Sequence, residues 1–207
     1  MNEFLVIAHR GNSSEHLENS PSAFKSAIKL GADMIETDVQ KSKDGELFLM
    51  HDKSITRCTN FKGKISKLNS NELRRITLKN GEPIWTVDEL LDECNGKIKV
   101  NLEIKARRIE ETVLNIVKKH DMLEDVVFTN FNMNSMLKIK RLEPNSRVGW
   151  LTIFRIPYLT SYILLNRLTR AGCEALCPVH EMVNENLVRT CHEKKLKIYT
   201  WTVNDVP

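Results

Sequence analysis

Short apolar runs alternate along the chain with stretches in which apolar residues recur every three or four positions. The runs predict strands at 4–8, 33–39, 98–104, 125–129, 147–152, 174–178 and 197–202. The helical spacing predicts helices near 21–31, 86–95, 109–120, 132–142, 158–171 and 183–194. Several helices carry start signals: Ser20-Pro21, Thr86 before "VDELL", and Asn132 before "MNSMLKIKRL". Gly31 and Gly172 stand where helices should stop. Strands and helices alternate with short links, which predicts parallel βαβ units in one domain, 1–207, with no linker.

One segment breaks the rhythm. After the second strand, "KDGE" reads as a tight turn into a short strand at 46–50, and "NSNELRRI" as a small helix. The polar stretch of about 44–84 is therefore expected to be a small insertion after strand 2, packed over one end of the sheet. Seven strands in βα alternation predict an α/β fold of the (β/α)8 TIM-barrel type. The chain stops at "YTWTVNDVP". A closing helix, strand and helix would need roughly 30 more residues to reach the ~250 typical of that fold, so they are expected to be missing. An open doubly wound sheet is the structural alternative. The placement of the polar residues decides for the barrel.

Composition narrows the classes. A chain of 207 residues suffices for one well-buried domain. The net charge is +4, the basic residues are dispersed, and no Lys/Arg stripe is interleaved with aromatics, so no nucleic-acid partner is expected. "LVIA" is too short for a signal-peptide core, and "YLTSYILLN" is broken by polar residues, so neither a leader nor a transmembrane segment is expected. Five cysteines in no dense framework fit a reduced, cytoplasmic chain. Cys173 and Cys177 lie four apart without a second pair to complete a zinc set, and read as buried packing.

The chemistry-bearing residues fall at the carboxyl ends of predicted strands, where a βα barrel builds its site. His9 and Arg10 end the first strand, "MIETDV" the second, "VNLEIK" the third, and His51-Asp52 the strand of the insertion. Glu36 and Asp38 are two apart on a strand and share a face. Two like charges so placed are costly to bury unless a cation joins them. Glu103, one strand over at about 5 Å spacing, can join them around one ion. Three carboxylates without a thiol indicate a hard cation, Mg2+ or Ca2+. A salt-bridged strand end, with Lys105 pairing Glu36 or Glu103, is the plain alternative. His9 and His51 are the proton carriers. Arg10 and Lys105 bring fixed positive charge suited to a phosphate. Two acid/base histidines, one divalent ion and two cationic clamps are equipment for cleaving a phosphate ester.

"AHRG", "ENSPSAFKSAIKLGADMIETDVQKSKDGELFLMHD", "WTVDELL", "NLEIK" and "YTWTVND" together resemble the glycerophosphodiester phosphodiesterase family, in order from residue 5 to the end. The second block is the specific one; "WTVDELL" alone would mean little. The resemblance implies a βα barrel with a small insertion after strand two. It implies hydrolysis of glycerophosphodiesters to glycerol 3-phosphate and an alcohol, with Ca2+ or Mg2+ as cofactor. His9 and His51 match the catalytic histidines, and Glu36, Asp38 and Glu103 the metal ligands. Arg10 and Lys105 match the residues around the phosphate, and Trp201 the late-strand aromatic that borders the substrate. The resemblance favours His9 as base and His51 as acid, an order that the sequence itself leaves open.

Leu17 stands where the family usually has proline, and Ser42 where it has threonine. Neither change touches the chemistry. The family continues past the "WTVN" strand through a helix, an eighth strand and a last helix, so an open barrel edge and self-association through it are expected. Two other readings compete: a lysophospholipase D-type phosphodiesterase on lipid substrates, with the apolar helix 156–168 touching membrane or a partner, and a non-catalytic remnant acting as a binding module.

Overall fold

The computed structural model describes residues 4–153 and 158–204; of residues 158–162 it describes the backbone alone. The chain divides into two compact units, Met1–Val126 and Val127–Pro207.

In the first unit, β1 (Ile7–His9) leads through a folded loop to α1 (Pro21–Lys29) and then to β2 (Met34–Lys41). Ser20 caps α1, its hydroxyl accepting the Ala23 N–H at 3.2 Å, and Pro21 takes the first helical turn, where no backbone donor is needed. A short β3 (Leu47–Leu49) follows, then two 3-10 turns and α2 (Ser70–Leu73). After these come α3 (Val87–Cys94), β4 (Lys99–Ile104) and α4 (Glu110–Lys119). Thr86 and Glu89 form a reciprocal capping box at the start of α3. Trp85, just before it, stacks on Phe24 of α1 with ring centroids 6.0 Å apart.

The register positions the site. β2 pairs in parallel with β1, setting His9 opposite Glu36. On its other side β2 pairs in parallel with β4, setting Asp38 opposite Glu103. Ile35, Thr37 and Val39 of β2 are buried, so neither face of this strand is open to water. β3 runs antiparallel to the end of β2, and the Met50 N–H donates to the Asp38 carbonyl at 2.9 Å. That bond brings the chain at His51 back beside the carboxylates. The stretch from β3 to α3 has a small core of its own, with Phe48, Met50, Ile55, Cys58, Ile65, Leu73, Leu78 and Ile84.

The second unit continues the alternation: β5 (Val126–Asn130), α5 (Met133–Leu142), β6 (Arg147–Thr152), α6 (Tyr158–Arg170), β7 (Ala175–Pro178), α7 (Glu185–Glu193) and β8 (Lys197–Ile198). Within it β6 pairs in parallel with β5 and β7, and β7 with β8. All five cysteines are buried.

Two strands differ from the pattern-based expectation. The apolar run at 4–8 becomes a strand only from Ile7, and Phe4, Leu5 and Val6 are exposed. The pairing with β2 begins at Ile7↔Met34, and ahead of it Asp33 takes over, its carboxylate accepting the Val6 N–H at 2.7 Å. The last strand, expected over 197–202, is regular only at 197–198 and returns as an isolated bridge between Val179 and Trp201. Of the apolar stretch 156–168, Ile156, Pro157 and the side chains of 158–162 lie outside the described residues. Among the described residues no helix is long and apolar enough to cross a membrane.

Candidate active site

Glu36, Asp38 and Glu103 are all buried, and each offers a carboxylate oxygen within 4.8 Å of the others'. The i, i+2 spacing on β2 and the register with β4 bring them together. Burial, then the charges of Asp38 and Glu103, push the Glu36 carboxyl well above the usual carboxylate range. Glu103 is pushed up mainly by burial, partly offset by Lys105. The Lys105 ammonium lies 2.6 Å from Glu103 Oε1 and 3.3 Å from Asp38 Oδ1. Burial lowers its basicity, and the two carboxylates more than restore it, so it stays charged. The salt bridge of a merely structural strand end is thus formed. It leaves the cluster short of positive charge: three buried carboxylates share the Lys105 ammonium, and Asp38 Oδ1 has that ammonium at 3.3 Å but no well-aligned hydrogen bond. Such an atom beside two further carboxylate oxygens fits a hard divalent cation.

Arg10 turns back over the strand end. Its φ of 57° is in the left-handed region, uncommon for an arginine and strained. Its backbone N–H donates to Glu36 Oε2 at 3.1 Å, and its Nε lies 3.3 Å from Asp38 Oδ2. Its Nη1 donates to both oxygens of Glu18 at 3.1 Å. Gly11 follows with φ 79°, and a Cβ there would sit 2.7 Å from the backbone carbon of Ala23, so only glycine lets the loop pass α1 so closely. Asn19, also left-handed at φ 55°, closes the loop. Its N–H donates to the Arg10 carbonyl at 3.0 Å, its Nδ2 donates to Asp38 Oδ2 at 3.0 Å, and its Oδ1 accepts the Thr37 hydroxyl at 2.7 Å.

His9 Nε2 lies 3.8 Å from Glu36 Oε2. Burial, then the neighbouring Arg10 charge, pull its pKa below the ordinary histidine value. His51 Nδ1 lies 2.7 Å from Asp52 Oδ1, and its carbonyl accepts from Gln40 Nε2 at 3.1 Å. Arg57 Nε donates to Asp52 Oδ2 at 2.6 Å, and that bond foremost holds the Asp52 carboxyl down at about 2. The same guanidinium donates through Nη1 and Nη2 to the two oxygens of Glu18, at 2.8 and 2.7 Å. A continuous chain of charged contacts therefore runs from Arg10 through Glu18, Arg57 and Asp52 to His51.

The structure thus gathers His9, Arg10, Glu36, Asp38, Glu103 and Lys105 at adjacent strand ends of the first unit, with His51 on the strand-end segment paired to β2. Trp201 belongs to the second unit. There its Nε1 donates to the Cys177 carbonyl at 2.9 Å, and its ring meets Phe131 edge-on at 5.7 Å. Sequence reasoning gave no role to Glu18, Asn19, Asp52 or Arg57. "HD" and the polar first loop were visible, but nothing local signals a pairing 39 positions apart.

A model of the glycerophosphoryl diester phosphodiesterase family matches residues 9–206. A glycerophosphodiester phosphodiesterase of Caldanaerobacter subterraneus subsp. tengcongensis is 32% identical over 213 aligned residues, covering 97% of this chain and 86% of that protein. Among solved structures, an Oleispira antarctica phosphodiesterase in complex with the product sn-glycerol-3-phosphate superposes with a TM-score of 0.86 at 26% identity, covering 98% of this chain and 85% of that one. A glycerophosphodiester phosphodiesterase of Thermotoga maritima gives 0.84 at 28% identity, covering 99% and 88%. These likenesses, with the parallel β/α alternation, establish a TIM-barrel-like α/β fold.

Proposed function

The chain belongs to the glycerophosphoryl diester phosphodiesterase family, a family of phosphoric diester hydrolases, and from that premise we propose that it cleaves glycerophosphodiesters to sn-glycerol 3-phosphate and an alcohol. The observation that carries the reading is the buried carboxylate trio, with more negative charge than Lys105 alone offsets, set beside Arg10 and two histidines. Glu36, Asp38 and Glu103 would hold one divalent cation, Ca2+ or Mg2+, whose charge would stabilise the phosphate oxygens as their charge grows. Arg10 and Lys105 bring fixed positive charge to the phosphate and share the charge that grows on it. His9, its basicity lowered, stands neutral near pH 7 and takes the proton of the nucleophile, either water or the substrate's own 2-hydroxyl, the latter giving a cyclic phosphate that water then opens to glycerol 3-phosphate. His51 donates its proton to the departing alkoxide, its ring oriented by Asp52. The role of Trp201 beside the substrate rests on the family resemblance alone.

Release of glycerol 3-phosphate from glycerophosphocholine by the purified chain tests this reading. Release should cease with EDTA and return with Ca2+ or Mg2+. A folded sample inert with every divalent cation would refute it.

Arg57 is a positioning residue in this scheme, since it grips Glu18 behind Arg10 and Asp52 behind His51. Arg57→Ala is expected to lower kcat about tenfold, the usual size for an outer partner, and to raise KM as Arg10 loosens. Arg57→Lys restores the charge without the fork and should recover little of either. Full rescue by lysine would leave Arg57 with no more than a surface charge.

A further inference from the structure

The chain's modest net charge of +4 conceals a strong local excess. Residues 53–79 hold eight basic side chains and one acidic, a net +7, while the other 180 residues sum to −3. Arg57 and Arg74 are taken up by ion pairs. Lys53, Lys62, Lys64, Lys67, Arg75 and Lys79 are exposed, and among the described residues none of them has a carboxylate partner. Four of these lysines lie on one built element. The Ile55 N–H donates to the Gly63 carbonyl and the Ile65 N–H to the Lys53 carbonyl, both at 3.0 Å. Ser54 and Lys64 form an antiparallel bridge between the two arms. Ile55, Cys58 and Ile65 are buried in the segment's own core, which leaves the neighbouring lysines on the outer side.

At the turn between the arms stands Phe61, 43% exposed between Asn60 and Lys62. The turn is fixed: the Phe61 N–H donates to Thr59 Oγ1 at 3.1 Å, and that hydroxyl donates in turn to the Ile55 carbonyl at 2.8 Å. The ring lies against Gly63 on one side and meets water on the other; its distinction is the set of exposed lysines on the same two arms. Exposed lysines on the arms of a turn that carries an exposed aromatic suit a lipid headgroup layer. The ammonium groups meet phosphates, and the ring sits at the acyl boundary. An inorganic polyanion would use the lysines and leave the ring idle, whereas a single-stranded nucleic acid would stack a base on it, and the test sets that alternative against the lipid.

We propose that the Phe61 turn, with the exposed Lys53, Lys62, Lys64 and Lys67 on its two arms, docks the protein on an anionic lipid surface. The docking segment begins two residues after His51 and carries Arg57, so the lipid contact and the candidate active site are joined through one short stretch of chain.

The test is co-sedimentation of the full chain with vesicles of phosphatidylcholine alone or with phosphatidylglycerol. Binding is expected to the anionic vesicles and to fade as salt rises. Each lysine near such a surface is worth about fivefold in partition, so Lys62→Glu with Lys64→Glu should cost at least about 25-fold. Phe61→Ala should weaken binding severalfold while the salt dependence stays the same. Both variants should keep the parent's melting temperature and its turnover of a soluble diester, which separates loss of docking from loss of fold or site. Equal binding to neutral vesicles overturns the proposal. So does a Phe61→Ala protein that binds like the parent, which would leave only a diffuse charge patch. A single-stranded oligonucleotide that binds more tightly than anionic vesicles would overturn it in favour of nucleic acid.

Discussion

His51→Ala is expected to lower turnover of glycerophosphocholine at least ~100-fold, the usual minimum for losing a general acid. The loss should depend on the leaving group. An alkoxide needs its proton in the transition state, whereas a phenolate leaves well without one. With an aryl phosphodiester, His51→Ala should therefore recover most of the parent's rate. The His51 ring packs against Asp52, whose carboxylate stays ionised through the whole working range because Arg57 holds its pKa at about 2. With Asp52 accepting from the Nδ1–H, the proton given to the alkoxide is the one carried on the other ring nitrogen. His9 differs in kind: it faces the carboxylate cluster, and burial keeps it neutral. The acid limb of the parent's rate profile should accordingly lie below the ordinary histidine value of about 6.5. An equal loss in His51→Ala with both esters would assign His51 a role other than acid.

The order of strands and helices was legible because two periods, 2 and 3.6, are written directly into the residue types. Where the reading and the structure part, at Phe4–Val6 and at 199–202, pairing partners rather than residue types decide the strand. The carboxylate cluster was legible for a similar reason. Glu36 and Asp38 share a face by local geometry, and Glu103 comes within reach once two parallel strands are granted. The lattice around them was not legible. Arg10 and Asn19 adopt left-handed backbone conformations that only the folded loop imposes. Arg57 reaches both Glu18 and Asp52 through a turn whose geometry depends on the small core formed by Ile55, Cys58 and Ile65. Charge bookkeeping misled in the opposite direction: a near-neutral total hid the basic 53–79 stretch.

Glu36→Gln is expected to remove most of the response to divalent cations and, without cation, to stabilise the fold at neutral pH. In the folded chain, burial and two neighbouring carboxylates raise the Glu36 pKa well above the unfolded value of about 4.3. The metal-free protein thus binds more protons folded than unfolded between those two values. Its stability is fully present below the unfolded pKa and is lost as pH rises through the folded one. Glu103 is shifted in the same direction and adds to the slope. Glutamine carries no charge and can still accept the Arg10 N–H, so the variant should lose part of that slope and melt higher than the parent at pH 8 in EDTA. A cation competes with the proton for the same oxygens and binds only the folded state. In the parent, saturating Ca2+ or Mg2+ should raise the melting temperature more at pH 8 than at pH 5, whereas in Glu36→Gln the rise should be small at both. Activity should fall about 100-fold or more, as when one preorganised electrostatic element is removed from a transition state. Melting curves at two pH values, with EDTA and with cation, separate the two effects. A variant that keeps the parent's cation-induced shift would show that Glu36 is not a ligand.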